Sequence, residues 1–206
     1  MAKSKNTNSI LFLFEGETEG EFYKIFFDKL PKRKIRISPS NLKGVYGLNN
    51  KVRSKIVTYL KNSKFDDCNN IHVYVAYDRE GIRSCTPLLD KSDLVKEFVD
   101  CKNSRVASIN EIIATQDLES WLFYDLEGIY KFLKVPKSKR KMNAYPNTES
   151  VNNNHLSALF HRYDNHYQKG SRVEGFLNSL DMEKIYGSVN EIQKAIKDIT
   201  NLIKEA

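Results

Sequence analysis

The chain has 206 residues, with 33 Lys+Arg against 26 Asp+Glu and a net charge of +7, which allows one compact domain with a small appendage and excludes a multidomain assembly. Hydrophobic residues at 40% and charged residues at 29% exclude a wholly disordered chain, because a core of ordinary size can be buried. The longest aliphatic and aromatic run, Ile10 to Phe14, falls short of the roughly 20 apolar residues of a membrane-spanning helix and the about 7 or more of a signal peptide, so a soluble cytoplasmic protein is expected.

That run, continuous rather than alternating, has the pattern of a strand buried on both faces. It ends in Glu15-Gly16-Glu17-Thr18-Glu19, where Thr18 followed by Glu21 matches a capping box, and Phe22, Ile25, Phe26 and Lys29 recur at helical spacing up to Pro31. Lys34 to Ser38 alternates as a second strand, and Val52, Ile56, Tyr59 and Leu60 mark one face of a second helix. Ile71 to Tyr77 reads as a third strand closed by Asp78-Arg79-Glu80-Gly81. A helix over Ser92 to Cys101, a strand over Ile109 to Ala114 and an amphipathic helix carrying Leu118, Trp121, Leu122, Ile129 and Leu133 complete a βαβαβαβα order. This order predicts an α/β fold, a mostly parallel four-stranded sheet flanked by helices, over residues 1–135.

Residues 136–206 are expected to form a basic connector and a helical C-terminal extension packed on that domain. The extension has a short helix over Leu156 to Tyr163 and a last helix capped by Ser188 and Glu191, with a stripe of Ile192, Ile196, Ile199 and Ile203. Joined to Ile185 and Val189, the stripe has coiled-coil spacing, but fewer than three heptads favour packing on its own domain. Cys68, Cys85 and Cys101 are odd in number and widely spaced, which predicts reduced thiols, and the histidines lack metal-ligand spacing.

The positive charge is unevenly placed. Residues 1–128 carry 20 basic and 18 acidic side chains, and residues 149–206 carry 7 and 8. Between them Lys131, Lys134, Lys137, Lys139, Arg140 and Lys141 lie in a stretch with no acid. A single-sign cluster of this density, near Pro136 and Pro146, suits phosphate groups; it would also suit a merely solvated loop.

The acids gather elsewhere. In parallel α/β sheets ligands bind outside the carboxyl ends of the strands. Glu15 follows the first strand, Asp78 and Glu80 the third, and Asp117 with Glu119 the fourth. If the first and third strands are neighbours, Glu15, Asp78 and Glu80 converge, and such a cluster stays ionised only beside a cation. Mg²⁺, a hard ion that takes one or two carboxylates plus water and phosphate oxygens, removes the conflict and points to phosphodiester chemistry. Helix capping and the helix dipole account equally for Glu17, Glu19 and Asp117.

The sequence of hydrophobic strand, Glu15-Gly16-x-Thr18-Glu19, and hydrophobic strand ending in Asp78-x-Glu80 resembles a Toprim domain. That family, found in topoisomerases, primases and OLD-type nucleases, pairs a glutamate after its first strand with Asp-x-Asp after its third; here Glu80 replaces the second aspartate. Gln116-Asp117-Leu118-Glu119-Ser120-Trp121-Leu122, Pro136-Lys137-Ser138-Lys139-Arg140 and Tyr167-Gln168-Lys169 are similar to blocks of small bacterial Toprim-like proteins related to RloB, often encoded near defence or restriction systems. The resemblance spans about residues 10 to 195 and implies a Rossmann-like sheet with an acidic site for Mg²⁺ or Mn²⁺.

On this reading the chain is expected to be a Mg-dependent nuclease-like enzyme acting on DNA or RNA. Glu15 and Lys169 are the catalytic candidates; Glu15, Asp78, Glu80 and Glu119 are the metal ligands. Arg79, Arg83, Lys137, Lys139, Arg140 and Lys141 are the phosphate-binding set. Two alternatives fit the same residues: a non-catalytic binding or sensor subunit docking on a partner encoded beside it, and a phosphohydrolase or phosphotransferase acting on a small nucleotide. A P-loop ATPase is not expected, because no Walker-type Gly-rich Lys-Ser/Thr sequence is present.

Overall fold

The computed structural model describes residues 8–30, 35–79, 88–146 and 148–205. Glu80, Arg83 and Cys85 lie outside the described residues. Strands β1 (Asn8–Phe14), β2 (Arg36–Asn41), β3 (Asn70–Asp78) and β4 (Val106–Ala114) form one sheet in the order β2-β1-β3-β4. All its pairings are parallel.

Alternation along the central strands divides the core in two. Ile10, Phe12, Tyr74 and Ala76 face one hydrophobic cluster, and Leu11, Leu13, Val73, Val75 and Tyr77 face the other, as the two-residue period of a strand requires. Helices α2 (Leu48–Leu60) and α3 (Lys91–Phe98) cover the second cluster with Val52, Ile56, Leu94 and Phe98. The first cluster is covered by α1 (Glu17–Asp28) together with every later helix: α4 (Leu118–Leu122), α5 (Leu126–Phe132), α6 (Asn153–Arg162), α7 (Glu174–Leu177), α8 (Met182–Ser188) and α9 (Asn190–Glu205). From β1 the chain crosses to β2 on one side, and from β3 it crosses to β4 on the other. The ends of β1 and β3 therefore flank the switch point where such sheets bind ligands.

Local departures from the predicted elements have identifiable causes. The N-cap of α1 lies two residues before the expected one: Gly16 occupies it with no side-chain bond, and Thr18 is buried within the helix. The Thr18 hydroxyl instead accepts a hydrogen bond from the Gly170 N–H at 2.9 Å. The predicted helix from Leu118 to Leu133 is interrupted by a 3₁₀ turn, Phe123–Asp125. There the Asp125 carboxylate caps α5 through the Gly128 N–H and also accepts from the Asp181 N–H at 2.8 Å. Gly128 is required for this, since a Cβ would sit 1.9 Å from Asp125 Oδ2.

Ser188 ends α8 instead of capping α9, its hydroxyl donating to the Lys184 carbonyl. The isoleucine stripe packs inside the molecule: Ile185, Ile192, Ile199 and Ile203 belong to the same buried cluster as Ile10 and Phe12. Among the described residues, no helix is long and apolar enough to cross a membrane.

Because Ile192 is fully buried, Ile192→Ala should lower the free energy of unfolding by about 2–5 kcal/mol. Urea denaturation measures it, and a loss under about 1 kcal/mol would mean that α9 contributes little to the core.

Candidate active site

Glu15, the residue after β1, turns its carboxylate across the switch point, where Oε2 accepts a hydrogen bond from the Asp78 N–H at 3.1 Å. Asp78 is the last residue of β3 and is 7% exposed. Glu19, in the first turn of α1, is also buried. Gly16 makes room for it, since a Cβ there would lie 2.8 Å from Glu19 Oε2.

Helix α4 supplies the other side. Asp117 caps it by accepting from the Ser120 N–H at 3.1 Å, while its second oxygen accepts from the Asn153 N–H at 2.7 Å and ties α4 to the start of α6. Glu119 has 0% exposure. Its Oε1 accepts from the Tyr167 hydroxyl at 3.0 Å and pairs with Lys169 Nζ at 3.2 Å, whereas the buried Oε2 has no hydrogen-bond partner. Lys169 immediately precedes the 3₁₀ turn Gly170–Val173. The bond between Thr18 and Gly170 fixes that turn against α1, so a residue remote in sequence is held beside Glu119.

The electrostatics follow from this packing. Burial, followed by the charges of Glu19, Glu15, Glu119 and Asp117, pushes the Asp78 carboxyl up to about 9. Glu19 is pushed up to about 7, first by burial and then by Glu119 and Glu15, against the opposing pull of a backbone hydrogen bond and Lys169. Burial also raises Asp117, with hydrogen bonds from Asn153 and Ser120 acting against it. Burial alone would lower Lys169, but Glu119, Asp117 and Glu19 outweigh it and hold the ammonium above its ordinary value. Lys169 is thus a fixed cation here and unsuited to act as a base. Burial raises the Tyr167 hydroxyl far above its usual range, with Glu119 next in effect, so it remains a donor.

Glu15, Asp78, Glu119 and Lys169, all expected at the site, are brought together. Glu19, Asp117 and Tyr167 join them. Among the described residues, no three His, Cys, Asp or Glu side chains stand as a ready group that could hold a metal ion. The donor chemistry nevertheless fits Mg²⁺ or Mn²⁺: the donors are hard carboxylate oxygens, and Glu119 Oε2 is a buried acceptor without a partner. A polar cleft of about 250 Å³ opens beside the acids, lined by Gln116, Asp117, Asn152, Asn153, Asn154 and Lys169.

Lys137 and Lys139 are exposed in a 3₁₀ turn, and Lys141 is exposed just beyond it. Arg140 has a different task, which corrects the expectation for it: Nε donates to the Val135 carbonyl at 2.9 Å and the guanidinium pairs with Glu127. With its side chain only 12% exposed, it holds the connector to α5. The connector's charge is thereby offset in part by an acid lying just before it in sequence. Arg79 is partly buried, and its N–H donates to the Ala114 carbonyl, extending the pairing of β3 with β4.

Residues 14–196 match a family described as a domain of unknown function, DUF4276. The chain belongs to the DUF4276 family. No curated protein and no solved structure matches it. The DUF4276 match takes in both halves of the site, from Glu15 and Glu19 to Tyr167 and Lys169.

Asp78 and Glu19 bind protons more tightly in the folded chain than at the roughly 3.9 and 4.3 of unfolded carboxyls. Between those values and the raised ones, the folded state holds more protons, so this contribution to stability is greatest at low pH and is lost as pH rises toward about 9. The thermal midpoint of metal-free protein should therefore fall between about pH 5.5 and about pH 8.5, and Asp78→Asn should flatten the fall. Parallel curves for the two proteins would contradict the burial argument.

Proposed function

We propose that this chain is a magnesium- or manganese-dependent nuclease of Toprim-like kind, acting on nucleic-acid phosphodiesters in the cytoplasm, as part of a bacterial defence system. The observation that carries the reading is the convergence of Glu15 and Asp78 at the switch point of a parallel sheet, beside a buried Glu119 oxygen that lacks a partner. A sheet edge of this kind is where ligands bind, and carboxylates in this number need a cation.

Asp78, Glu119 and Glu15 would hold the metal, with Glu80, which lies outside the described residues, as the further ligand expected from Asp78-x-Glu80. Glu19 adds a carboxylate to the same cluster. The bound ion would polarise a phosphoryl oxygen and lower the pKa of a bound water. Glu15, whose carboxylate reaches the end of β3 at Asp78, would take or give a proton. Lys169 supplies positive charge beside a phosphate oxygen, which suits electrostatic stabilisation of the charge that builds up during bond cleavage. Exposed Lys137, Lys139 and Lys141 remain candidates for contacts to flanking phosphates.

Incubation of supercoiled plasmid and of end-labelled single strands with purified protein tests the proposal. Cleavage should require Mg²⁺ or Mn²⁺. Glu15→Gln and Asp78→Asn should each reduce it by at least about 100-fold, while Lys169→Met should lower the turnover at saturating metal. Equal cleavage by wild type and both acid variants would end the assignment, as would no cleavage of either substrate in the presence of metal.

A further inference from the structure

The aromatic residues of this chain are mostly interior, yet Tyr46 is 92% exposed. A single exposed aromatic is ordinary on a protein surface. Tyr46 differs in how its loop is built and where the loop is fastened. The segment follows β2, whose carboxyl end lies on the same sheet edge as those of β1 and β3.

The loop is tied to the site directly. The Leu42 N–H donates to the Phe14 carbonyl at 2.8 Å, and the Gly44 N–H donates to the carbonyl of Glu15 at 2.9 Å. The Lys43 N–H donates to Asn41 Oδ1 at 2.6 Å, and Lys51 Nζ reaches back to the carbonyls of Lys43 at 2.7 Å and Gly44 at 3.0 Å. Lys43 itself has φ 58° and Gly44 φ 91°, a left-handed path that a non-glycine residue adopts at a cost. Val45, partly buried, packs against the hydrophobic cluster that α2 covers. The next side chain, on this pinned turn, is the bare tyrosine ring. Its Cα lies two peptide units from Gly44, at most about 7.6 Å away.

We infer that Tyr46 is a stacking platform for an unpaired nucleobase, which makes the substrate of the acidic site single-stranded nucleic acid. The inference rests on the nuclease reading above and specifies its substrate. A base in a duplex has both faces covered by its neighbours, whereas an unpaired base offers a face to an aromatic ring regardless of sequence. A tyrosine has few torsions to freeze, and this loop is already fixed, so little ordering opposes the contact. Lys43, exposed three residues earlier on the same loop, supplies a positive charge for the phosphate that accompanies the base.

The test is fluorescence anisotropy with the full chain, Ca²⁺ in place of Mg²⁺, and two labelled probes: a single strand of about 12 nucleotides, within the site sizes of stacking binders, and a blunt duplex. Tyr46→Ala should weaken single-strand binding by roughly 5- to 150-fold, the range for loss of one base stack, and leave duplex binding unchanged. Tyr46→Trp should retain the affinity, and its indole emission should be quenched by the single strand. No loss in Tyr46→Ala, equal losses on both probes, or no single-strand binding by wild type would each overturn the inference. Cleavage assayed separately with Mg²⁺ keeps the two readings apart. A Tyr46-dependent preference without cleavage would count against the nuclease alone, and cleavage indifferent to Tyr46 would count against the platform alone.

Discussion

Carboxylates taken out of water beside one another are the constraint around which this molecule is arranged. Asp78 ends a strand covered on both faces, and Glu19 and Glu119 are buried in the first turns of α1 and α4. Like charges in a medium of reduced dielectric repel strongly, and each also loses its hydration. The protein meets the conflict in part by keeping Asp78 protonated and Glu19 about half protonated near neutrality, with one ammonium, Lys169, paired to Glu119. Such an arrangement lowers stability unless something is gained by it, and sites of this kind are where chemistry is done.

The second half of the chain completes that site as well as the core. Tyr167 and Lys169 both contact Glu119 Oε1, and the bond from Gly170 to Thr18 locks their segment to α1. The Asn153 N–H satisfies Asp117 from the start of α6. Helices α8 and α9 then bury their apolar faces against the sheet in the same cluster as Phe12 and Tyr74. Rigidity in the acidic edge therefore depends on the second half of the chain, through packing and through three specific hydrogen bonds that span 36, 48 and 152 residues of sequence.

The strands and the sheet edge were legible because their signal is local. Ile10 to Phe14 has the continuous apolar pattern of a doubly covered strand, and Glu15 and Asp78 follow from the strand ends. Glu19 was legible only as a dipole-favoured acid at a helix start, since its burial depends on the fold, with Gly16 leaving space for it and the turn at Gly170 packed on α1. Thr18 matched a capping box, but its hydroxyl was claimed by Gly170, a contact that no local pattern encodes. Arg140 looked like part of a phosphate rail because the acid that neutralises it, Glu127, lies just outside the stretch that appeared free of acids. Tyr46 carried no periodic signal at all, and its exposure is a property of the folded loop.

Metal binding coupled to proton release is the most direct test of the central claim, that this edge is short of positive charge. Mn²⁺ would be titrated into metal-free protein at about pH 7, with electron paramagnetic resonance to count bound ion and calorimetry in two buffers of different ionisation enthalpy to count protons. The account predicts saturable Mn²⁺ binding that expels protons, with Asp78→Asn losing both the affinity and most of the release. Absence of binding at millimolar Mn²⁺, or binding that releases no protons and ignores Asp78→Asn, would contradict it.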